Sequence, residues 1–162
     1  MSQKVVIVGE EAHSGQPDAI LKTFALGSCV AIVLLDPATR VIGMVHVALP
    51  DSSVDPDKAR DKPCYFVDSG VEYLLTAMSQ AGCSPSGQGM VAKLAGGAAV
   101  MGGNDKFNVG GRNVDAARAY LQKKGIKIVA EDVGKNISRT ATVHVGSAKV
   151  GLSSPGRDDW SI

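Results

Sequence analysis

The chain has 162 residues, 44% apolar and 20% charged, which suits one globular domain with a sizeable core and argues against disorder. Seventeen basic and sixteen acidic residues leave a net charge of +1, and only 4% of residues are aromatic, so nothing suggests a nucleic-acid surface. No apolar run approaches the roughly 20 residues of a membrane helix, and the apolar start is cut short by Gly9-Glu10-Glu11, too early for a signal peptide.

In chain order, Val5-Val6-Ile7-Val8 reads as a buried strand, residues 11–18 as a polar loop, and residues 20–26 as a strand containing Thr23. An apolar run over 30–35, the turn Asp36-Pro37-Ala38-Thr39 and a second run over 41–49 predict a β-hairpin. With Leu35 opposite Arg40, opposed residue numbers sum to 75, and Cys29 faces His46 with Cβ atoms roughly 5 Å apart. A loop one residue longer would instead set Val47 opposite Cys29 and turn His46 to the other face. Residues 50–63, rich in proline and aspartate, read as a surface loop. Asp68 or Ser69 caps a helix whose apolar face is Val71, Leu74, Leu75 and Met78, with Gly82 as its stop. Residues 90–95 form a short strand, and residues 96–111 a long loop carrying three Gly-Gly pairs. Asn113 caps a second helix with Val114, Ala117, Tyr120 and Leu121 inward, closed by Gly125. Residues 126–130 are a strand, and 142–145 with 149–152 a final hairpin around Gly146-Ser147.

The hairpin runs are apolar on both faces, so their sheet must be covered on both sides. The expected fold is α+β, a layered sheet or sandwich core covered by helices. The expected domain spans residues 1–152, with 153–162 a flexible C-terminal tail.

A thiol beside an imidazole is the arrangement a cysteine nucleophile needs, although a lone Cys in an apolar strand is often only core. Gly27-Ser28, just upstream of Cys29, lets the backbone bend or a substrate approach. A Thr23 hydroxyl could orient His46. His144 is the competing partner for Cys29, though more naturally a half-exposed strand residue. Cys64 and Cys83 flank the first helix and read as structural. Three cysteines without a Cys-x-x-Cys pair, and three scattered histidines (His13, His46, His144), argue against a disulfide framework and a metal site and for free thiols in the cytoplasm. Asp132 and Arg139 form an ion pair or a solvated face. No Gly-Lys-Ser/Thr follows the glycine loop, so its glycines are structural turns, or places where another chain comes close, before they are a nucleotide cradle.

Thr23, Leu26-Gly27-Ser28-Cys29, and His46 followed by Leu49-Pro50 resemble the signature of the chemoreceptor glutamine deamidases, the CheD family. Three later blocks resemble the family in order: residues 92–98, Asn108-Val109-Gly110-Gly111-Arg112-Asn113, and Ala130-Glu131-Asp132-Val133-Gly134. One departure is Lys135, where the family commonly has a second glycine. The resemblance implies a cysteine-hydrolase, deamidase-like fold. It implies hydrolysis of glutamine side-chain amides on chemoreceptor helices through a cysteine thioester, without metal or organic cofactor. Carried over by position, Cys29 is the nucleophile, His46 the base and acid, and Thr23 the orienting member. Gly27 and Ser28 support the oxyanion site, with the Cys29 N–H as a donor. Gly96, Gly97, Gly110 and Gly111 are the expected rim for the receptor helix. The resemblance also implies a CheC-type phosphatase partner. Two readings stay open beside an active deamidase: chiefly a binding module that regulates that phosphatase, or another thiol amidohydrolase.

Overall fold

The computed structural model describes residues 2–99 and 107–162. Two five-stranded mixed sheets stack face to face, and helices cover the outer face of one of them. The first sheet has the order β1 (Gln3–Val5), β3 (Ile20–Leu26), β8 (Arg139–His144), β9 (Lys149–Ser153), β10 (Trp160–Ser161). The second has the order β2 (Glu11–Ser14), β5 (Ile42–Val47), β4 (Val30–Leu35), β6 (Val91–Gly96), β7 (Lys127–Val133). The helices are α1 (Pro56–Asp61), α2 (Val67–Ser79) and α3 (Val109–Lys123).

The unbroken apolar runs of β4 and β5 have a direct cause. Ala31, Val33, Leu35, Ile42 and Met44 face the first sheet, meeting Leu21, Ala141, Val143 and Val150. Val30, Ile32, Leu34, Val45 and Val47 face the helices, meeting Val71, Leu74 and Met78 of α2 and Val114, Ala117 and Leu121 of α3. The central strands β4 and β5 are buried on both faces, so they are almost wholly apolar, His46 being the polar exception. The first sheet has one face towards solvent, and its strands alternate accordingly. The layered α+β expectation agrees with this arrangement.

Several local expectations change. The N-terminal strand is Gln3–Val5 and exposed; beyond it Val6 is buried, whereas Ile7 and Val8 face outward. Residues 11–14 are not loop but β2, paired antiparallel with β5 at the sheet edge, where backbone pairing suffices and side chains stay half-exposed. The proline- and aspartate-rich segment contains α1: Asp55 accepts from the Lys58 N–H and Pro56 takes the first turn, both helix-start signals. Helix α2 begins at Val67 with no side-chain cap, because Asp68 instead accepts from the Ser52 N–H and hydroxyl. Helix α3 begins four residues before the predicted cap. Asn108, in the left-handed conformation, is the cap, so Gly110 and Gly111 are helical and Asn113 lies inside the helix. Trp160 and Ser161, in the segment expected as tail, pair with Leu152 and Gly151.

The hairpin register also differs. Leu35 pairs with Ile42, so opposed residue numbers sum to 77 rather than 75. The turn closes one pair further out, with the Asp36 N–H bonded to the Val41 carbonyl. Ala31, not Cys29, lies opposite His46. Because the displacement is two residues, every side chain keeps its face.

Candidate active site

Thr23 is on β3 of the first sheet, His46 on β5 of the second, and Cys29 at the entrance to β4. His46 shares the face of Ile42 and Met44, which points between the sheets, and Cys29 packs on that same inter-sheet cluster. In the β4–β5 register Cys29, one residue before the first pair Val30–Val47, falls diagonally across from His46 on the same face, and among the described residues no hydrogen bond joins the two side chains. Cys29 is partly exposed, whereas His46 and Thr23 are buried.

One hydrogen-bond chain defines the imidazole. The Thr23 hydroxyl lies 2.6 Å from the Val6 carbonyl and 2.8 Å from His46 Nδ1. A carbonyl can only accept, so the single hydroxyl proton goes to Val6. The hydroxyl oxygen must then accept from His46, which places the ring proton on Nδ1 and leaves Nε2 with its lone pair. Burial lowers the His46 pKa, opposed by the Val6 carbonyl. Burial raises the Cys29 pKa. Both shifts favour the uncharged forms, a thiol and an imidazole.

The segment carrying Cys29 is held entirely through its carbonyls. Ala98 N–H donates to Gly27 (2.8 Å), the Asn113 side chain to Ser28 (2.9 Å), and Gly97 N–H to Cys29 (2.8 Å). Among the described residues, the N–H groups of Gly27, Ser28 and Cys29 donate to none, so they are available to an incoming anion.

Gly96, Gly97 and Gly110 do not form an open rim. They are buried where backbone packs on backbone. A Cβ on Gly96 would collide with the Cys29 carbonyl oxygen, and one on Gly110 with the carbonyl oxygens of Gly97 and Ala98. Gly111 is partly exposed in the first turn of α3, while Gly102 and Gly103 lie outside the described residues. Behind Gly96, the fully buried Arg139 binds Asp132 (2.7 Å) and the carbonyls of Gly134 (3.0 Å) and Gly96 (3.4 Å). Trp160 Nε1 completes the cluster on Asp132 (2.8 Å). The Asp132–Arg139 pair is thus an internal brace for the turn under Cys29, not a solvated face.

His144 is exposed at the end of β8, paired with Ile20 and Lys149, and has no part in the site. Cys64 and Cys83 are buried, and desolvation, with nearby Glu11 and Glu10, pushes the Cys64 pKa up to about 12. Among the described residues no cluster of His, Cys, Asp and Glu could hold a metal ion. A cavity of about 400 Å³ bordered by Leu35, Ile42, Val91 and Val145 opens at the other end of β4. Sequence reasoning missed Asn113, read as a helix cap. The observed cap is Asn108, five residues earlier.

The chain matches known proteins over most of its length. A family model described as "CheD chemotactic sensory transduction" matches residues 48–154, beginning just after His46. Longer alignments span Thr23, Cys29 and His46. The chain is 48% identical, over the full length of both, to a protein of Syntrophotalea carbinolica named "Probable chemoreceptor glutamine deamidase CheD". It is 36% identical to a Syntrophus aciditrophicus protein named "Probable chemoreceptor glutamine deamidase CheD 1", across 96% of each. It is 38% identical to a Symbiobacterium thermophilum protein of the same description as the first, covering 98% of this chain and 96% of that one. With a family match over most of its length and relatives aligned from end to end, the chain belongs to the CheD family.

Proposed function

We propose that the protein is a protein-glutamine deamidase that converts glutamine side chains of chemoreceptors to glutamate, releasing ammonia. The observation that carries this reading is the Val6–Thr23–His46 hydrogen-bond chain, which leaves Nε2 of His46 basic on the face it shares with Cys29. The names of the full-length relatives supply the substrate class.

In the proposed reaction, His46 Nε2 takes the Cys29 thiol proton as the sulfur attacks the carboxamide carbon. The negative charge that develops on the amide oxygen meets the unspent N–H of Cys29, with that of Ser28 beside it. One such donor is typically worth about 10²–10³ in rate. The tetrahedral intermediate collapses as the C–N bond breaks, and His46 returns its proton to the departing ammonia. A water deprotonated by the same Nε2 then attacks the thioester, giving glutamate and restoring the thiol. Thr23 keeps the ring in the required tautomer throughout. None of these steps calls on a metal or an organic cofactor.

The setting is the cytoplasm, where receptor signalling helices are available. No described helix is long and apolar enough to cross a membrane. A CheC-type phosphatase is the second proposed partner. The test is incubation with a purified receptor signalling domain, reading ammonia and the amide-to-acid mass change by peptide mapping. Absence of both, with the wild-type protein folded, refutes the deamidase reading. Phosphatase stimulation in the same preparation would then favour the binding-module alternative.

A further inference from the structure

We propose that Asn113 is a positioning residue for the reaction: its side-chain amide sets the Cys29 turn against the strand that carries His46. The proposal rests on the deamidase reading above for the reaction it serves, but its geometry stands apart from the substrate.

The β4–β5 ladder ends at the pair Val30–Val47. In that register the next opposed pair is Cys29 and Ala48, where the strands leave each other. Asn113 reaches from α3 into this gap. Its Nδ2 donates to the Ser28 carbonyl at 2.9 Å and to the Ala48 carbonyl at 3.0 Å. One planar amide nitrogen thus replaces the missing rung, tying the residue before the thiol to a residue two past the imidazole. Aspartate of the same shape offers only acceptors, and serine a single donor.

Two further observations favour a role beyond filling space. Asn113 is completely buried, and its Oδ1 has no hydrogen-bond partner among the described residues. A buried amide oxygen left unsatisfied is costly, and a purely apolar side chain would avoid that cost if packing were the only need. The fold also makes room for the reach. Gly110, one turn earlier on α3, lies against the carbonyls of Gly97 and Ala98 at a distance that no Cβ would allow. The same Gly97 and Ala98 donate to Cys29 and Gly27. Helix α3 is thereby brought onto the nucleophile's turn from both sides of Ser28.

The test compares Asn113→Ala with Leu121→Ala, a core truncation on α3 two turns away from these carbonyls. Melting temperature, kcat and KM for receptor deamidation, and the pH profile of Cys29 alkylation by iodoacetamide are measured for each. For Asn113→Ala the expected result is a folded protein whose kcat falls about ten- to hundredfold, the scale of a misplacement of order 1 Å, with KM little changed. Its alkylation profile should lose the rise that follows His46 deprotonation and track the thiol alone. Leu121→Ala should melt earlier yet keep kcat and the alkylation profile. Wild-type kcat and profile in folded Asn113→Ala overturn the proposal, as does an equal loss of kcat in Leu121→Ala at matched stability. Should Asn113→Ala fail to fold, Asn113→Gln keeps both donors but displaces them by a methylene, and wild-type kcat and profile in that variant overturn it equally. If wild type deamidates no receptor, the functional reading has failed, and the alkylation comparison still decides the role of Asn113.

Discussion

Thr23→Val isolates the hydrogen-bond chain that fixes the imidazole, because valine keeps the shape and removes only the hydroxyl. Two bonds disappear, to the Val6 carbonyl at 2.6 Å and to His46 Nδ1 at 2.8 Å. Each bond is worth about 0.5–1.5 kcal/mol net, and a buried group left unpaired costs about 1–3 kcal/mol. Thr23 is fully buried, so a stability loss of about 2–4 kcal/mol is expected. The catalytic effect is separable from it. If the bond to Nδ1 holds the productive tautomer with about 1.4 kcal/mol, its removal lowers kcat roughly tenfold. The assay is ammonia release from a receptor signalling domain under saturating conditions, at a temperature where circular dichroism shows Thr23→Val to be folded. Thr23→Ser, which keeps the hydroxyl, should recover most of kcat. Unchanged kcat in folded Thr23→Val refutes the orienting role. A loss as complete as that of Cys29→Ala means that the hydroxyl does more than orient.

Cys29→Ala and His46→Ala should each abolish deamidation with the fold intact, and Cys29→Ser should be nearly inactive; residual turnover near wild type in either alanine variant removes that residue from the mechanism. Brief alkylation of the free protein, read by peptide mapping, should label Cys29 before Cys64 or Cys83, because Cys29 is partly exposed and shares a face with His46 while the other two are buried; prior labelling of either is the contrary result. Burial lowers the His46 pKa, so its neutral, basic form persists below the ordinary imidazole value, and the acid limb of kcat/KM should lie on the acid side of it. The same sign holds for stability: the depressed folded pKa contributes stability that is present above the unfolded value and lost as pH falls through the folded one. An acid limb above the ordinary imidazole value contradicts this. Lys135 occupies the left-handed region at φ +59°, which costs a non-glycine residue about 1–2 kcal/mol; Lys135→Gly should therefore raise the melting temperature by about 2–4 °C per kcal/mol recovered, and no rise would show that the turn carries no such strain.

The main strands and helix faces were legible in the sequence because their signals are local. Residues 30–35 and 42–47 are apolar on both faces and had to be covered on both sides. Val71, Leu74, Leu75 and Met78 repeat at helical spacing on α2. Cys29 and His46 stood out because a hairpin joins them, and the shared face survived a wrong register because the error was two residues. Other features have no local signal. Strand β2 is a polar edge strand that owes its existence to backbone pairing with β5. Gly110 and Gly111 cost a helix about 1 kcal/mol each relative to alanine and so read as loop. Gly110 is helical because α3 packs there directly on the carbonyls of Gly97 and Ala98, a contact that only bare backbone permits, and Gly111 follows it against the Asn108 side chain. Thr23 meets His46 across two different sheets, and Asn113 meets Ser28 and Ala48 from a helix far along the chain. Periodicity reports which face of an element is buried. Which faces are stacked, and at what register, is set by the summed packing of both sheets and α3, and that sum alone assembled the chain of hydrogen bonds around the thiol.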